Sequence, residues 1–152
     1  MAFAISSMVL GSITGISLAT NLSNSLIKSS VQGSFDLIKN FVSYHHTPIK
    51  EVIDEFDLIA KLEIIEAVMK DIENEKINDK QSITKALDNL RLVVENIHNL
   101  LQKIDNIIKG HEQKYFSKWR SLYYENEILE LKRNIRLMDL RYSMFLEILK
   151  VR

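Results

Sequence analysis

A chain of 152 residues with 20 Lys/Arg, 20 Asp/Glu and no cysteine has no net charge to draw it to nucleic acid and no means of forming a disulfide or thiolate site. One proline and four glycines supply too few tight turns for an all-β chain, and 46% hydrophobic residues set it apart from disordered sequences. The expectation is one all-α domain over residues 1–152, able to bury roughly two-thirds of its unfolded surface, in a cytoplasmic setting that suits a thiol-free chain.

The zero charge conceals a segregation. Residues 1–49 are net +1, residues 50–112 hold 9 basic against 14 acidic residues, and residues 113–152 hold 9 against 5. Pairing of the acidic middle with the basic end inside a bundle is the first expectation. Docking of the basic end on anionic lipid or an acidic partner is the second.

Residues 1–43 open the chain as a hydrophobic segment, and Met1 to Ile27 carries no charged residue at all. Gly11, Gly15, Ala19 and Ser23 fall four apart, a small-residue stripe on one side of a helix predicted over Ala2–Ser30. Gly33 is expected to end that helix, with a short continuation over Ser34–Val42. A signal peptide is disfavoured because no Lys or Arg precedes Lys28. A permanent span is diluted by Ser6, Ser7, Ser12, Thr14, Ser17, Thr20, Asn21, Ser23, Asn24 and Ser25. A helix docked on its own bundle is the main expectation. A charge-free helix is also cheap to move into lipid, because no ionised group must be desolvated. Val9, Leu10, Gly11, Gly15, Ile16, Leu18, Ala19 and Leu22 are the candidate inserting residues.

Amphipathic helices are expected to fill residues 48–152. Thr47 and Pro48 suit a helix start. The helix predicted from there to about Glu73 has a main stripe of Val52, Ile53, Phe56, Ile59, Ala60, Ile64, Ala67 and Val68, widened by Leu58, Leu62, Ile65, Met69 and Ile72. Asn74–Ser82 reads as a polar loop. Ile83, Ala86, Leu90, Val93, Ile97, Leu100, Ile104 and Ile107 then form a seam at spacings of three and four, with Gly110 as its stop. Past Glu112, the aromatic face of Tyr115, Phe116, Trp119, Leu122 and Tyr123 gives way near Glu125 to a second seam. That seam runs through Ile128, Leu131, Ile135, Met138, Tyr142, Phe145 and Leu149. The expected architecture is an all-α four-helix bundle, with four principal helices, one or two short extra ones, and an uncharged Gly/Ser-containing helix at the N-terminus.

No constellation of polar groups points to catalysis. Glu95 and His98 have a Glu-x-x-His spacing, but a di-metal bundle needs a second such pair and further glutamates. His98 is expected to face water, and His45 and His46 read as loop residues. There is no phosphate-binding glycine loop, nucleophile elbow or zinc spacing. The expectation is a protein that is not an enzyme and takes no cofactor or metal. The best candidate contact surface is basic: Lys114, Lys118, Arg120, Lys132, Arg133, Arg136 and Arg141, interleaved with Trp119, Tyr123, Tyr124 and Tyr142. Its competing reading places the aromatics in the core and pairs the bases with acidic helices.

"MVLGSITGISLATNL" (residues 8–22), "ITKALDNLRLVVENIHNLLQKI" (83–104) and "LELKRNIRLMDLRYSMFLEIL" (129–149) together resemble, in helix order and hydrophobic pattern, a known group of bundles. These are the fungal HeLo, plant RPW8-type and animal MLKL executioner domains. That resemblance implies a bundle that oligomerises with itself and perturbs membranes in cell death. It supplies no signature residue to carry over, and no kinase, nucleotide-binding or prion-forming region accompanies the bundle here. The alternative is a structural or adaptor protein whose seams bind partner helices, within a large viral-type assembly or as an inhibitor of cell death. The expected partners are a second copy, helical proteins or anionic lipid, with membrane association beside the cytoplasmic pool. Nucleic acid ranks below all of these.

Overall fold

A computed structural model describes residues 15–43, 47–75, 81–112 and 124–150. Five helices account for them: α1 (Gly15–Ser43), α2 (Thr47–Glu55), α3 (Leu58–Glu75), α4 (Gln81–Glu112) and α5 (Glu125–Lys150). No strand occurs among the described residues. The chain is all-α.

The two heptad-like seams form as their spacing demands. Ile83, Leu90, Val93, Ile97 and Ile104 of α4 are buried, and Leu87, Val94, Leu101 and Ile108 broaden the seam into a wide face. Ile107 is only partly buried at its edge. In α5, Ile128, Leu131, Ile135, Met138 and Phe145 are buried, with Tyr142 and Leu149 packed against them. The widest contacts join α1 to α4 and α4 to α5. Next, α1 meets α3, and α2 touches α3, α5 and α1. One connected core results, with Ile27, Phe41, Ile49, Leu58, Leu62, Met69 and Phe145 at or near zero exposure. Burial of such side chains contributes roughly 1.5–3 kcal/mol each.

The structure corrects the sequence reading at four places. First, α1 runs unbroken through Gly33, which has an ordinary helical backbone. Gly33 serves a close approach instead. A Cβ built there would lie 2.5 Å from Nε2 of His98, so the imidazole from α4 occupies the space a side chain would need. Second, His98 is therefore half-buried on α1 rather than turned wholly to water.

Third, the helix expected over 48–73 is two helices. Asp57 has φ of 52°, the left-handed region in which Asp is tolerated better than most residues. It stops α2 there, where its N–H donates to the Asp54 carbonyl at 3.2 Å. It starts α3 as well, since its own carbonyl accepts the Lys61 N–H at 3.1 Å. The joint resets the phase of α3: Leu58, Leu62, Ile65, Met69 and Ile72 face the core, while Ile59 and Ile64 are exposed. Fourth, α4 continues past Gly110 to Glu112, and no neighbour lies within 4 Å of a Cβ placed at Gly110.

Candidate interaction surface

The inner face of α1 is unusually polar, with Thr20, Ser23, Asn24, Ser30 and Ser34 all buried. Thr20 shares a hydroxyl–hydroxyl bond of 3.0 Å with Thr84 of α4. Asn24 donates from Nδ2 to the Met69 carbonyl of α3 at 2.9 Å, while its Oδ1 is buried without a hydrogen-bond partner. Ser34 bonds back to the Ser30 carbonyl at 2.8 Å. The bonds from Thr20 and Asn24 tie α1 to both neighbours at fixed register. Of the candidate inserting residues, Val9, Leu10 and Gly11 lie outside the described residues. Gly15, Ile16, Leu18 and Ala19 fall in the first turns of α1. Leu22 is exposed at 61%. No helix among the described residues is long and apolar enough to cross a membrane.

A cleft of about 600 Å³ opens between α1 and α4, lined by Ser23, Thr84, Lys85, Asp88 and Asn89. Nearby, Arg91 forks to Asp88 and Glu95, with Nε and Nη2 on Asp88 Oδ1 and Nη1 on both Glu95 oxygens. Asp88 foremost, then Glu95, hold the Arg91 guanidinium even further into its charged form. Glu95 is thereby committed to Arg91. Among the described residues no three His, Cys, Asp or Glu converge as metal ligands would, and His45 and His46 lie outside them. Burial pushes the Tyr124 hydroxyl upward, offset in part by the Ile49 backbone, and burial alone does the same at Tyr142.

The basic surface divides. Lys114, Lys118 and Arg120 lie outside the described residues, as do Tyr115, Phe116, Trp119, Leu122 and Tyr123. On α5, Leu129, Arg133, Arg136, Leu140 and Met144 follow spacings of four, three, four and four, so they share one outward row. Leu129, Leu140 and Met144 are 56%, 58% and 52% exposed. Arg133 reaches only Glu130 of its own helix, at 3.6 Å. Arg136 sits 5.4 Å from the Phe56 ring centre, with Lys61 at 5.9 Å from the same ring. Lys132 is half-buried at the edge of the row.

A second outward row runs along α3 through Ile59, Glu63, Ile64, Ala67 and Asp71, with Lys70 exposed on the same face and paired to Glu66. Ile64 is 54% exposed. Sequence reasoning assigned Ile59, Ile64 and Ala67 to the core; the Asp57 joint is the signal that would have moved them. The α5 row was legible only in its arginines, although Leu129, Leu140 and Met144 repeat at helical spacing opposite the seam.

The ion pairs between helices run against the expected pattern. Lys61 of the acidic middle pairs with Asp139 of the basic end at 2.9 Å, and Lys103 pairs with Glu127 at 3.7 Å. Lys28 of α1 reaches Glu73 at 2.5 Å, and Gln32 bonds to Glu66. Arg141 donates to the Asn89 carbonyl at 2.8 Å. So the two ion pairs that join the middle to the basic end each use the minority charge of its segment, whereas Glu66 and Glu73, majority acids of the middle, are engaged by α1. Among the described residues no ion pair joins a base of α5 to an acid of α2, α3 or α4. Internal pairing of acidic middle with basic end is not what these residues do.

No known protein family matches the chain. It is similar to Uncharacterized protein L717 of Acanthamoeba polyphaga mimivirus, with 26% identity over 148 residues that cover 80% of this chain and 72% of that protein. No solved structure matches.

Proposed function

We infer that the chain is a non-catalytic helical interaction module, a structural or adaptor protein that docks through the outward row of α5. In this reading it is a four-cornered bundle in which α2 and α3 share one corner. One observation carries the reading: Leu129, Leu140 and Met144 are more than half exposed around Arg133 and Arg136, and solvation explains arginines there but not three large apolar side chains aligned with them. Such a row fits a helix face that is apolar with acidic flanks. The apolar contacts would supply the affinity and the arginines orientation and encounter rate.

The test uses the full chain and its Leu129→Asp/Leu140→Asp variant, each checked for helicity. Tagged wild type should retain specific partners from an extract of its source that the variant loses. Equal capture by both would remove α5 from the docking surface.

A second reading, a HeLo- or MLKL-like membrane-active bundle, has its own support in the uncharged stretch from Met1 to Ile27 beside a basic and apolar outer row. Dye leakage from liposomes containing anionic lipid, abolished by Leu22→Glu at an exposed position of α1 in a chain that still folds, would favour it. Neither leakage nor liposome co-sedimentation from a folded sample would dispose of it.

A further inference from the structure

We propose that the partner of the α5 row is a second copy of this chain, which presents the outward row of α3; the proposal rests on α5 being a docking surface. The two rows are matched in length and opposed in charge. From Ile59 to Asp71 the α3 row spans twelve residue steps, and from Leu129 to Met144 the α5 row spans fifteen; at 1.5 Å per residue these are about 18 Å and about 22 Å. The α3 row sets Ile59, Ile64 and Ala67 among Glu63 and Asp71, with Lys70 on the same face drawn to Glu66 of its own helix at 3.5 Å, and the α5 row sets Leu129, Leu140 and Met144 among Arg133 and Arg136. Neither Glu63 nor Asp71 has an ion pair among the described residues, and Arg136 has only the Phe56 ring.

Folding leaves this match unused. Where α3 and α5 meet within one molecule, they meet through Lys61 and Asp139, the reverse polarity. Glu63 and Asp71 of α3 and Arg133 and Arg136 of α5 are left exposed beside apolar side chains, while Glu66 and Glu73 are engaged by α1 and Arg141 by α4. A surface with a basic and apolar row on one helix and an acidic and apolar row on another is complementary to itself. Copies joined α5 to α3 make a heterologous contact, which closes as a ring or continues as an open array.

The contact predicts a particular pattern under charge reversal. In Arg133→Glu/Arg136→Glu both rows of a molecule are acidic, and in Glu63→Lys/Asp71→Lys both are basic. Sedimentation velocity of the wild type should show mass rising above the 17.7 kDa chain with concentration, and less so at 0.5 M salt than at 0.05 M, since exposed charges are screened. Each variant alone should associate about tenfold more weakly, the sum of several exposed pairs turned from attractive to repulsive. An equimolar mixture of the two should regain association, because each then offers the row the other lacks. Circular dichroism confirms that each variant is folded, and Lys61→Ala/Asp139→Ala, which alters the internal pair only, should associate as wild type does. A wild type that stays at 17.7 kDa up to about 1 mM, the weak limit of specific association, overturns the proposal. Wild-type association with no recovery in the mixture overturns it as well. If the wild type is monomeric while Leu129→Asp/Leu140→Asp still loses partners from the extract, α5 docks on another protein and only the identity of the partner fails.

Discussion

Gly33 and His98 show how one contact sets the size of a substitution's effect. Replacing a helical glycine by alanine ordinarily gains about 1 kcal/mol. Here the new Cβ would come within 2.5 Å of Nε2 and 2.9 Å of Cε1 of His98, so the tip of the imidazole must swing aside to admit it. Gly33→Ala should therefore gain clearly less than the ordinary amount in the wild type and the full amount, about 1 kcal/mol, in a His98→Ala background. A double-mutant cycle in urea measures both; an equal gain in the two backgrounds would refute the contact. Asn24 offers a second residue-level test. Its donor is used on the Met69 carbonyl and its acceptor is buried without a partner. Asn24→Leu removes both groups together and should cost less than about 1 kcal/mol. Asn24→Asp removes the donor and sets a buried carboxylate against a carbonyl, so a loss of about 3 kcal/mol or more is expected in the same measurement. Neither role was legible in the sequence. A glycine within a helical stretch reads as a helix stop, and an Asn among serines reads only as one more polar residue diluting a span, because both roles depend on what a distant helix brings.

At the level of elements, the seams were the legible part. Ile83 to Ile104 and Ile128 to Phe145 bury as their spacing implies, since a long unbroken period leaves one face to choose. The helix expected over 48–73 was misread because its apolar residues are numerous enough to draw two stripes, and periodicity cannot choose between them across a joint. Asp57 makes that choice by its backbone. Asp57→Gly, which removes the Cβ from a left-handed residue, should leave the melting temperature unchanged or raise it slightly. Asp57→Val should destabilise by about 1–2 kcal/mol. If Asp57→Val melts as the wild type does, the joint is not held at positive φ. The α5 row, being outside the core, should tolerate Leu140→Asp with less than about 0.5 kcal/mol change in stability, so any loss of partner binding reports on the surface and not on folding.

Across the whole molecule, the arithmetic of charge was readable and its use was not. Counting residues finds an acidic middle and a basic end; only the placement of Lys61, Lys103, Glu127 and Asp139 shows that these segments link through their minority charges. All four lie near the surface, where such pairs contribute little. Lys103→Ala should accordingly move the melting temperature by no more than a degree or two, whereas Phe145→Ala, which empties a fully buried site in the core, should cost about 3–5 kcal/mol. Chemical denaturation followed by circular dichroism compares them. The candidate surface was half legible for a related reason. Arginines announce themselves in a sequence, but whether a leucine beside them is core or surface is a property of the assembled bundle.

The hydroxyls and amide on the inner side of α1 set a condition on any event that would free the start of this chain. Drawing α1 away means parting Thr20 from Thr84 and Asn24 from Met69, and it strips the cover from the buried faces of α3 and α4 at once. Departure of α1 is then not a local hinge but the opening of the whole molecule. Backbone amides of α1 and α4 should exchange with solvent at one common, slow rate, and a trigger acting at this terminus has to supply nearly the full stability of the fold.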